Sequence, residues 1–195
     1  MRLPWAQFGS HKLVLAKALA RVSTSVLELG AGDYSTPLIH TAAERGVKVL
    51  TIEDNKEWLN KYKHLKTYLH DFKFISSKDT QKFYDNDTEQ WGLVFVDNGT
   101  WDARFAAIKK YKDVADYMVI HDCSVLPGNG IGKTLDPMIM KARHTGRRDY
   151  SDIFKYWIEF FIRGWGEQNP STLIGSNKID LKGFKVRGMI VSGKN

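Results

Sequence analysis

The sequence lacks the features that mark secreted, membrane-spanning and fibrous proteins. Among its 195 residues is one cysteine, Cys123, which excludes an internal disulfide framework and any zinc site built from several thiolates. No apolar run approaches the roughly 20 residues that a membrane-spanning helix needs, and the first residues lack the apolar segment of a secretory signal. Internal repeats and low-complexity segments are absent as well. These absences favour a cytoplasmic protein with no membrane span, and the length favours one domain around a single core.

The charge of the chain is unbalanced but spread out. Its net charge is +7 and its isoelectric point is about 9.4, so nucleic acid has to be considered as a partner. The Lys and Arg residues are scattered, however, and the one dense group is the short stretch HTGRRDY. Scattered charge is more typical of solvated faces than of a surface that follows phosphates, which argues against nucleic acid. An anionic or glycan substrate stays open.

Apolar stretches of strand length alternate with stretches of helical pattern. Five short runs are typical of buried strands: SVLELG, KVLTIED, DFKFIS, WGLVFVDNG and DYMVIHD. Helical patterns occur at 11–20, from Thr36 onward, at 55–65 and at 102–112. Strands joined by helical crossovers form a parallel sheet that is covered on both faces. An open, doubly wound α/β domain is therefore predicted.

The last third of the chain departs from this alternation. A turn-rich loop at 124–137 is interpreted as a lid over the site; its GNGIGKT stretch is similar to a phosphate-binding loop, but Pro127 occupies the place of the first glycine. YWIEFFI and FKVRGMIVSG are then typical of strands, separated by an irregular segment at 164–177. These two strands predict an antiparallel hairpin at the edge of the parallel sheet.

The stretch LELGAGDYSTPL joins the first strand to a helix through two glycines. Gly30 and Gly32 permit a tight turn and a close approach of a ligand to the backbone. Glu53, about 20 residues on and at the end of the second strand, is placed to hold a ribose hydroxyl. Ser35 stands where a dinucleotide fingerprint has its third glycine, and Glu28 would repel a pyrophosphate but suits a ligand with a sulfonium and an ammonium. The alternative is a plain capped turn with no ligand.

The pattern Glu-x-Gly-x-Gly in this stretch resembles motif I of the class I S-adenosylmethionine-dependent methyltransferases, and the resemblance extends along most of the chain. VLELGAGDYST is similar to their first strand and glycine loop, TIEDN to their ribose-binding acidic end, and VFVDN and VIHDC to their strands four and five. The resemblance implies a Rossmann-like, mostly parallel, seven-stranded sheet that ends in an antiparallel hairpin. It also implies S-adenosylmethionine as the cofactor of a single methyltransferase domain (1–195). Within it, an N-terminal helical segment (1–21) precedes a cofactor-binding core (22–123), and the lid, acceptor region and edge strands follow (124–195).

Twelve positions are assigned to the cofactor on this basis. Ser77 follows strand three, where such enzymes contact adenine, and Trp101 could stack on a ring of the cofactor. The full set is Glu28, Gly30, Ala31, Gly32, Tyr34, Ser35, Thr36, Glu53, Asp54, Ser77, Asp97 and Trp101.

Polar residues end strands four and five, where they face the same crevice as the cofactor. Asp97 ends strand four and the pair His121–Asp122 ends strand five, and these three are the candidate catalytic residues. A hydroxyl acceptor needs a base or a metal to assist its deprotonation. His121 is the candidate base because imidazole titrates near neutrality, with Asp102 in reserve. The two strand-end carboxylates repel each other unless something cationic lies between them; the structural alternatives are a turn cap, a loop contact and a satisfied buried histidine.

By resemblance, Asp97 and Asp122 match the carboxylates that hold a divalent metal, Mg²⁺ or Mn²⁺, in the cation-dependent O-methyltransferases. The match is incomplete, because Gly99 and Cys123 stand where members of that group have an acid and an amide. The metal is therefore left open.

The closing His-Asp of strand five, preceded by VFVD on strand four, resembles the small-molecule and sugar O-methyltransferase branch. That branch implies methyl transfer to a hydroxyl of a sugar or glycan, such as rhamnose, or of another small polar acceptor. It also implies fusion to, or association with, glycosyltransferase domains. The basic charge keeps an RNA or protein methyltransferase as one alternative, although no NPPY-type segment is present. The second alternative is a cofactor-binding or scaffold subunit without catalytic activity. No sequence feature indicates the oligomeric state.

Overall fold

The structure is a computed structural model that describes residues 11–123, 150–162, 171–187 and 189–194. The lid expected at 124–137 and the basic stretch at 144–149 lie outside these ranges. Within them, no helix is both long enough and apolar enough to cross a lipid bilayer.

Helices and strands alternate along the first part of the chain, as predicted. Pro37 lies in the first turn of its helix, where a missing N–H costs no hydrogen bond. The side chain of Asn55 caps the next helix by accepting hydrogen bonds from the N–H groups of Glu57 and Trp58. The helix after the third strand was not expected. In chain order the elements are α1 (His11–Leu19), β1 (Ser25–Leu29), α2 (Thr36–Glu44), β2 (Lys48–Glu53), α3 (Lys56–Lys61), a 3-10 turn (Lys63–Leu65), β3 (His70–Phe74), α4 (Thr80–Asn86), β4 (Leu93–Val96), α5 (Trp101–Tyr111), β5 (Tyr117–Ile120), β6 (Tyr156–Ile162), β7 (Thr172–Ser176) and β8 (Met189–Lys194).

The eight strands of the described residues form one sheet in the order β3–β2–β1–β4–β5–β7–β6–β8. Strands β1 to β5 run parallel, β7 is antiparallel to β5 and β6, and β8 is antiparallel to β6. The predicted α/β class, with a mostly parallel sheet and an antiparallel C-terminal part, is confirmed. The strand order reverses between β1 and β4, and ligands of open sheets bind at the carboxyl ends of the strands beside such a point.

The late strands differ from the expectation in one respect. YWIEFFI forms β6 and pairs with β8, as the predicted edge hairpin requires. Between them in the chain, however, Thr172–Ser176 forms β7 inside the segment that was expected to be irregular, and β7 inserts between β5 and β6. All five residues of β7 are buried. The strand is therefore stabilised by its contacts with β5 and β6, and not by a pattern in its own sequence. The sheet therefore has one strand more than the seven expected.

Apolar cores cover both faces of the sheet, and side-chain alternation along β1 decides which residue enters which core. Val26 packs in the core beneath α1 and α2, whereas Leu27 and Leu29 pack in the core beneath α4 and α5. Alternate residues of a strand share a face, so Glu28 points the same way as Val26.

Candidate functional site

A cavity of about 370 Å³ lies at the carboxyl ends of β1, β2 and β4. Its lining includes the carboxylates of Glu53, Asp54 and Asp97, and no Lys or Arg among the residues that the structure describes. The cavity therefore favours a ligand with positive charge over one with a phosphate. Six lining residues belong to the set expected from the sequence: Gly30, Ala31, Glu53, Asp54, Ser77 and Asp97.

Gly30 brings the loop after β1 against the backbone that follows β4. Its φ of +92° lies in the left-handed region that favours glycine. A Cβ atom there would lie 2.6 Å from the carbonyl oxygen of Asp97 and 2.9 Å from the Cα atom of Asn98. The N–H of Gly30 donates to the carbonyl of Ile52 at 2.9 Å. The loop is thus held between the ends of β2 and β4, and only glycine fits at the contact.

Glu53 fixes the other side of the same loop. Its Oε2 accepts a hydrogen bond from the N–H of Ala31 at 2.8 Å, and its Oε1 accepts one from the N–H of Asn55 at 2.9 Å. The side chain is buried, and this burial raises the pKa of Glu53 even though both backbone donors act to lower it. Each carboxylate oxygen has a second lone pair, so Glu53 can still accept a ligand hydroxyl from the cavity.

Glu28 lies behind the loop and does not line the cavity. It is fully buried, and its two oxygens accept hydrogen bonds from the hydroxyls of Thr36 at 3.0 Å and Thr51 at 2.7 Å. The Thr36 hydroxyl in turn accepts the N–H of Gly32 at 2.9 Å. Burial raises the pKa of Glu28 to about 7, although both hydroxyls act to lower it. From the sequence, Glu28 was expected to contact the cofactor. Its position in β1 instead directs the side chain toward α2, where it stabilises the glycine loop through Thr36.

Four of the remaining predicted cofactor residues lie away from the cavity lining. Ser35 and Thr36 are buried at the start of α2, and Gly32 and Tyr34 are partly exposed in the turn before it. Trp101 opens α5, and its side chain lies outside the described part of the chain.

Trp58 is an aromatic residue of the cavity that the sequence reasoning did not single out. Its indole N–H donates to the carbonyl of Ala31 at 2.5 Å, and the Lys61 ammonium lies 4.4 Å from the ring centroid. The side chain is about 38% exposed, which leaves it accessible to a ligand. A signal was available, because Trp58 follows the end of β2 by only a few residues.

A second cluster of polar groups lies at the ends of β4 and β5. The Nδ1 atom of His121 lies 3.1 Å from Oδ2 of Asp97, and its Nε2 atom lies 3.1 Å from Oδ1 of Asp122. The structure thus brings together the three catalytic candidates, while Asp102 is exposed on α5. Since both ring nitrogens of His121 face carboxylates, an acceptor hydroxyl has no open ring nitrogen to approach. The geometry therefore favours Asp122, whose side chain is 30% exposed, over His121 as the proton acceptor.

Arg104 of α5 supplies the positive charge that the two carboxylates require. Its Nη2 lies 2.9 Å from Oδ1 of Asp97, and its Nη1 lies 4.0 Å from Oδ2 of Asp122. The same guanidinium donates to the backbone carbonyls of Asn98 at 2.8 Å and His121 at 3.0 Å. Arg104 is buried and links the ends of β4 and β5. The sequence predicted a cation between the carboxylates but did not identify which residue provides it.

The two carboxylates differ in their surroundings. Burial raises the pKa of Asp97, but the hydrogen bond and charge of His121 and the charge of Arg104 outweigh it and hold that pKa below its ordinary value. Burial, reinforced by the charge of Asp97, raises the pKa of Asp122. Asp122 also has a φ of +57°, which is uncommon outside glycine and often marks a functional position.

His11, the first residue of α1, packs against this cluster. Its ring centroid lies 4.2 Å from that of His121, and the residue is 3% exposed. Neither ring nitrogen has a hydrogen-bond partner among the residues that the structure describes. Burial, reinforced by His121, lowers the pKa of His11 to about 3, so the ring is neutral. One donor atom each of His11, Asp97 and His121 lie within 4.8 Å of one another. In the sequence, His11 is marked only by its place in a helical pattern, which predicts no function for it.

No family model matches the sequence, and no curated protein matches it either. Solved structures do match its fold. The bifunctional kinase-methyltransferase WbdD matches with a TM-score of 0.53 and 15% identity over 85% of this chain and 38% of that one. The Methanococcus jannaschii fibrillarin pre-rRNA processing protein matches with a TM-score of 0.53 and 17% identity over 78% of this chain and 65% of that one. The METTL16 methyltransferase domain matches with a TM-score of 0.53 and 12% identity over 92% of this chain and 71% of that domain.

The chain thus spans well under half the length of WbdD, and at these identities the likeness shows the fold alone. The fold expected from the resemblance to class I methyltransferases is confirmed. The sugar O-methyltransferase branch stays a prediction.

Proposed function

We propose that the chain binds S-adenosylmethionine in the cavity beside the glycine loop and transfers its methyl group to a hydroxyl. The observation that carries this proposal is the lining of the cavity, which includes three carboxylates and, among the described residues, no Lys or Arg, beside a loop that only glycine can form. A sulfonium and an ammonium are stabilised in such surroundings, whereas the pyrophosphate of a dinucleotide is repelled. The methyltransferase fold of the matching structures supports the same choice.

Different residues around the glycine loop would contact the ribose, the adenine and the sulfonium of the cofactor. Glu53 is placed to accept a ribose hydroxyl, because both of its oxygens are held by backbone N–H groups and keep free lone pairs. Trp58 offers an aromatic face to the adenine, and Ser77 lines the same cavity. Asp97 faces the cavity from the other side and brings negative charge toward the sulfonium.

The chemistry requires positioning and one proton transfer. S-adenosylmethionine held in this cavity would supply an electrophilic methyl group, which the acceptor oxygen would take by displacing neutral S-adenosylhomocysteine. The hydroxyl proton passes to Asp122, which His121 and Arg104 hold at the end of β5. Asp97 keeps its place and its charge through Arg104 and His121.

The acceptor we propose is a sugar, a glycan or another small polar molecule, on the strength of the sequence resemblance. We further propose that residues 1–195 act as one methyltransferase domain, working beside or fused to glycosyltransferase domains. The net charge of +7 favours RNA as the second candidate acceptor. Binding to RNA would weaken steeply with added salt, because phosphate contacts are screened, and binding to a neutral sugar would not.

Calorimetric titration with S-adenosylmethionine, S-adenosylhomocysteine and NAD tests the cofactor, and transfer of labelled methyl to a sugar panel tests the reaction. We expect the first two ligands to bind and NAD not to bind. Asp122→Ala should keep the binding and lose turnover by about 100-fold or more, the usual contribution of a base. Binding of NAD alone would overturn the proposal, and full turnover in Asp122→Ala would overturn the assignment of the base. Cofactor binding by wild type without transfer to any acceptor, RNA included, would favour a non-catalytic subunit.

A further inference from the structure

The imidazole of His11 is buried beside His121 at the ends of β4 and β5. A buried polar ring normally finds a hydrogen-bond partner, since leaving its nitrogens unpaired costs free energy. His11 is 3% exposed, and within the described ranges neither of its nitrogens has a hydrogen-bond partner. Its ring lies against that of His121, 4.2 Å between centroids. A buried imidazole whose nitrogens have no described partner can serve as a metal ligand.

The neighbouring donor atoms are spaced as metal ligands are. Nδ1 of His121 and Oδ2 of Asp97 lie 3.1 Å apart, the separation that two ligands have at about 2.1 Å from one ion with an angle near 90° between them. One nitrogen of His11 completes a set of three donors within 4.8 Å of one another. We propose that His11, Asp97 and His121 form a binding site for a divalent transition metal of the zinc class.

The second polar atoms of His121 and Asp97, which would not bind the metal, already have partners that orient the two side chains. A histidine ligand usually donates its other N–H to a carboxylate, and Nε2 of His121 faces Asp122 at 3.1 Å. The second oxygen of Asp97 is taken by Arg104 at 2.9 Å, which leaves Oδ2 for the ion. Because the guanidinium is positive, it lowers the affinity of the site but also fixes the orientation of the carboxylate.

The donor set selects the metal. Two imidazole nitrogens and one carboxylate oxygen suit zinc, iron, cobalt or nickel, whereas magnesium takes oxygen ligands and keeps several waters. The Mg²⁺ that the sequence left open fits this site poorly, since two of the three donors are nitrogen. Asp97 also lines the cofactor cavity, and its side chain is 22% exposed, so an ion can enter from there. A metal at this place would lower the pKa of an oxygen bound to it.

Cobalt is the probe of choice, because its visible absorption reports nitrogen ligation directly. We expect the full chain, stripped with a chelator, to take up one equivalent of Co²⁺, which Zn²⁺ displaces and Mg²⁺ does not. His11→Ala should lower the Co²⁺ affinity by at least tenfold. Asp122→Asn removes no ligand, and we expect a loss of about tenfold, the usual effect of changing an outer partner. The matched control is His40→Ala, which changes a histidine on α2 that contacts His70 of β3 and should leave the affinity unchanged.

Absence of Co²⁺ uptake by the wild-type chain would overturn the site, as would uptake that survives in His11→Ala or disappears in His40→Ala. Circular dichroism of each variant shows that the fold is kept, and Asp122→Asn supplies a second test if His11→Ala does not fold. The inference does not rest on methyl transfer. Cofactor titration of the stripped protein reports the proposed function separately, so failure of one proposal leaves the other standing.

Discussion

The site has two halves, one at the ends of β1 and β2 and one at the ends of β4 and β5, and different interactions stabilise each half. At the ends of β1 and β2, the carboxylates of Glu28 and Glu53 accept hydrogen bonds from hydroxyls and backbone N–H groups. At the ends of β4 and β5, the carboxylates of Asp97 and Asp122 are held by the side chains of His121 and Arg104. Neutral donors hold the first half, and mutually compensating charges hold the second. The first half should therefore tolerate loss of a charge, and the second should depend on each of its members.

Removal of Arg104 should have the largest effect, because it leaves two carboxylates close together without their cation. We expect Arg104→Met to lower the free energy of unfolding by about 3 to 5 kcal/mol, as breaking a buried ion pair does. Arg104→Lys keeps the charge but loses the fork of donors, and it should cost less. Urea unfolding of the three proteins measures the difference. Equal stability of Arg104→Met and wild type would mean that charge does not hold this half together.

Gly30 joins the two halves, and its replacement should have the next largest effect. Gly30→Ala combines a positive φ with a Cβ atom 2.6 Å from the Asp97 carbonyl oxygen, so we expect a loss of about 3 kcal/mol and weaker cofactor binding. The matched control is Gly46→Ala, which has nearly the same φ, +90°, and no neighbour within 4 Å. It should lose only about 1 kcal/mol. Equal losses in the two variants would show that the contact with β4 does not constrain the loop.

Glu28 tests whether the neutral half depends on charge at all. Its folded-state pKa of about 7 lies above the ordinary value of 4.5, so its stabilising effect is present below about pH 4.5 and is lost as the pH rises through 7. Glu28→Gln removes this titration while keeping an acceptor for the threonine hydroxyls. We expect the two proteins to be similar at pH 4 and the variant to be more stable by about 3 kcal/mol at pH 8. Denaturant unfolding across this range checks it, and a wild-type advantage that grows with pH would contradict it.

Trp58 should give the smallest effect, since its ring is partly exposed. We expect Trp58→Leu to weaken S-adenosylmethionine binding by about 1 kcal/mol, or roughly fivefold, through loss of an aromatic contact. Tyr68→Leu is the control, because Tyr68 is 95% exposed and lies outside the cofactor cavity. Calorimetry compares the two. Equal affinities would place the adenine elsewhere in the cavity.

The parts that local pattern specifies were predictable. The alternation of strands and helices, the glycine loop and Glu53 all follow from periodicity and from residues a short distance apart. The convergence of Asp97, His121 and Asp122 followed because the carboxyl ends of parallel strands meet at one edge. The face to which Glu28 points was not predicted, although the alternation along β1 decides it.

The parts that depend on distant partners were not predictable. Arg104 lies in an ordinary helical pattern, and nothing near it in the chain marks it as the cation between two strand ends. His11 is remote in sequence from both residues that it approaches. Strand β7 is short and flanked by turn residues, and its state is decided by β5 and β6 on either side. In each case the structure or role of the segment is decided by residues distant in the chain, so the local sequence does not predict it.

The position of β1 in the sheet also determines when the sheet can assemble during synthesis. β1 pairs with β2 on one side, and on the other it pairs with β4, whose first residue, Leu93, lies opposite Val26. During synthesis, β1 therefore waits with one open, largely apolar edge until residues 93–96 leave the ribosome. Open strand edges of this kind recruit other chains. We expect nascent chains stalled before Leu93 to need chaperone protection, which longer chains no longer require once β4 has closed that edge.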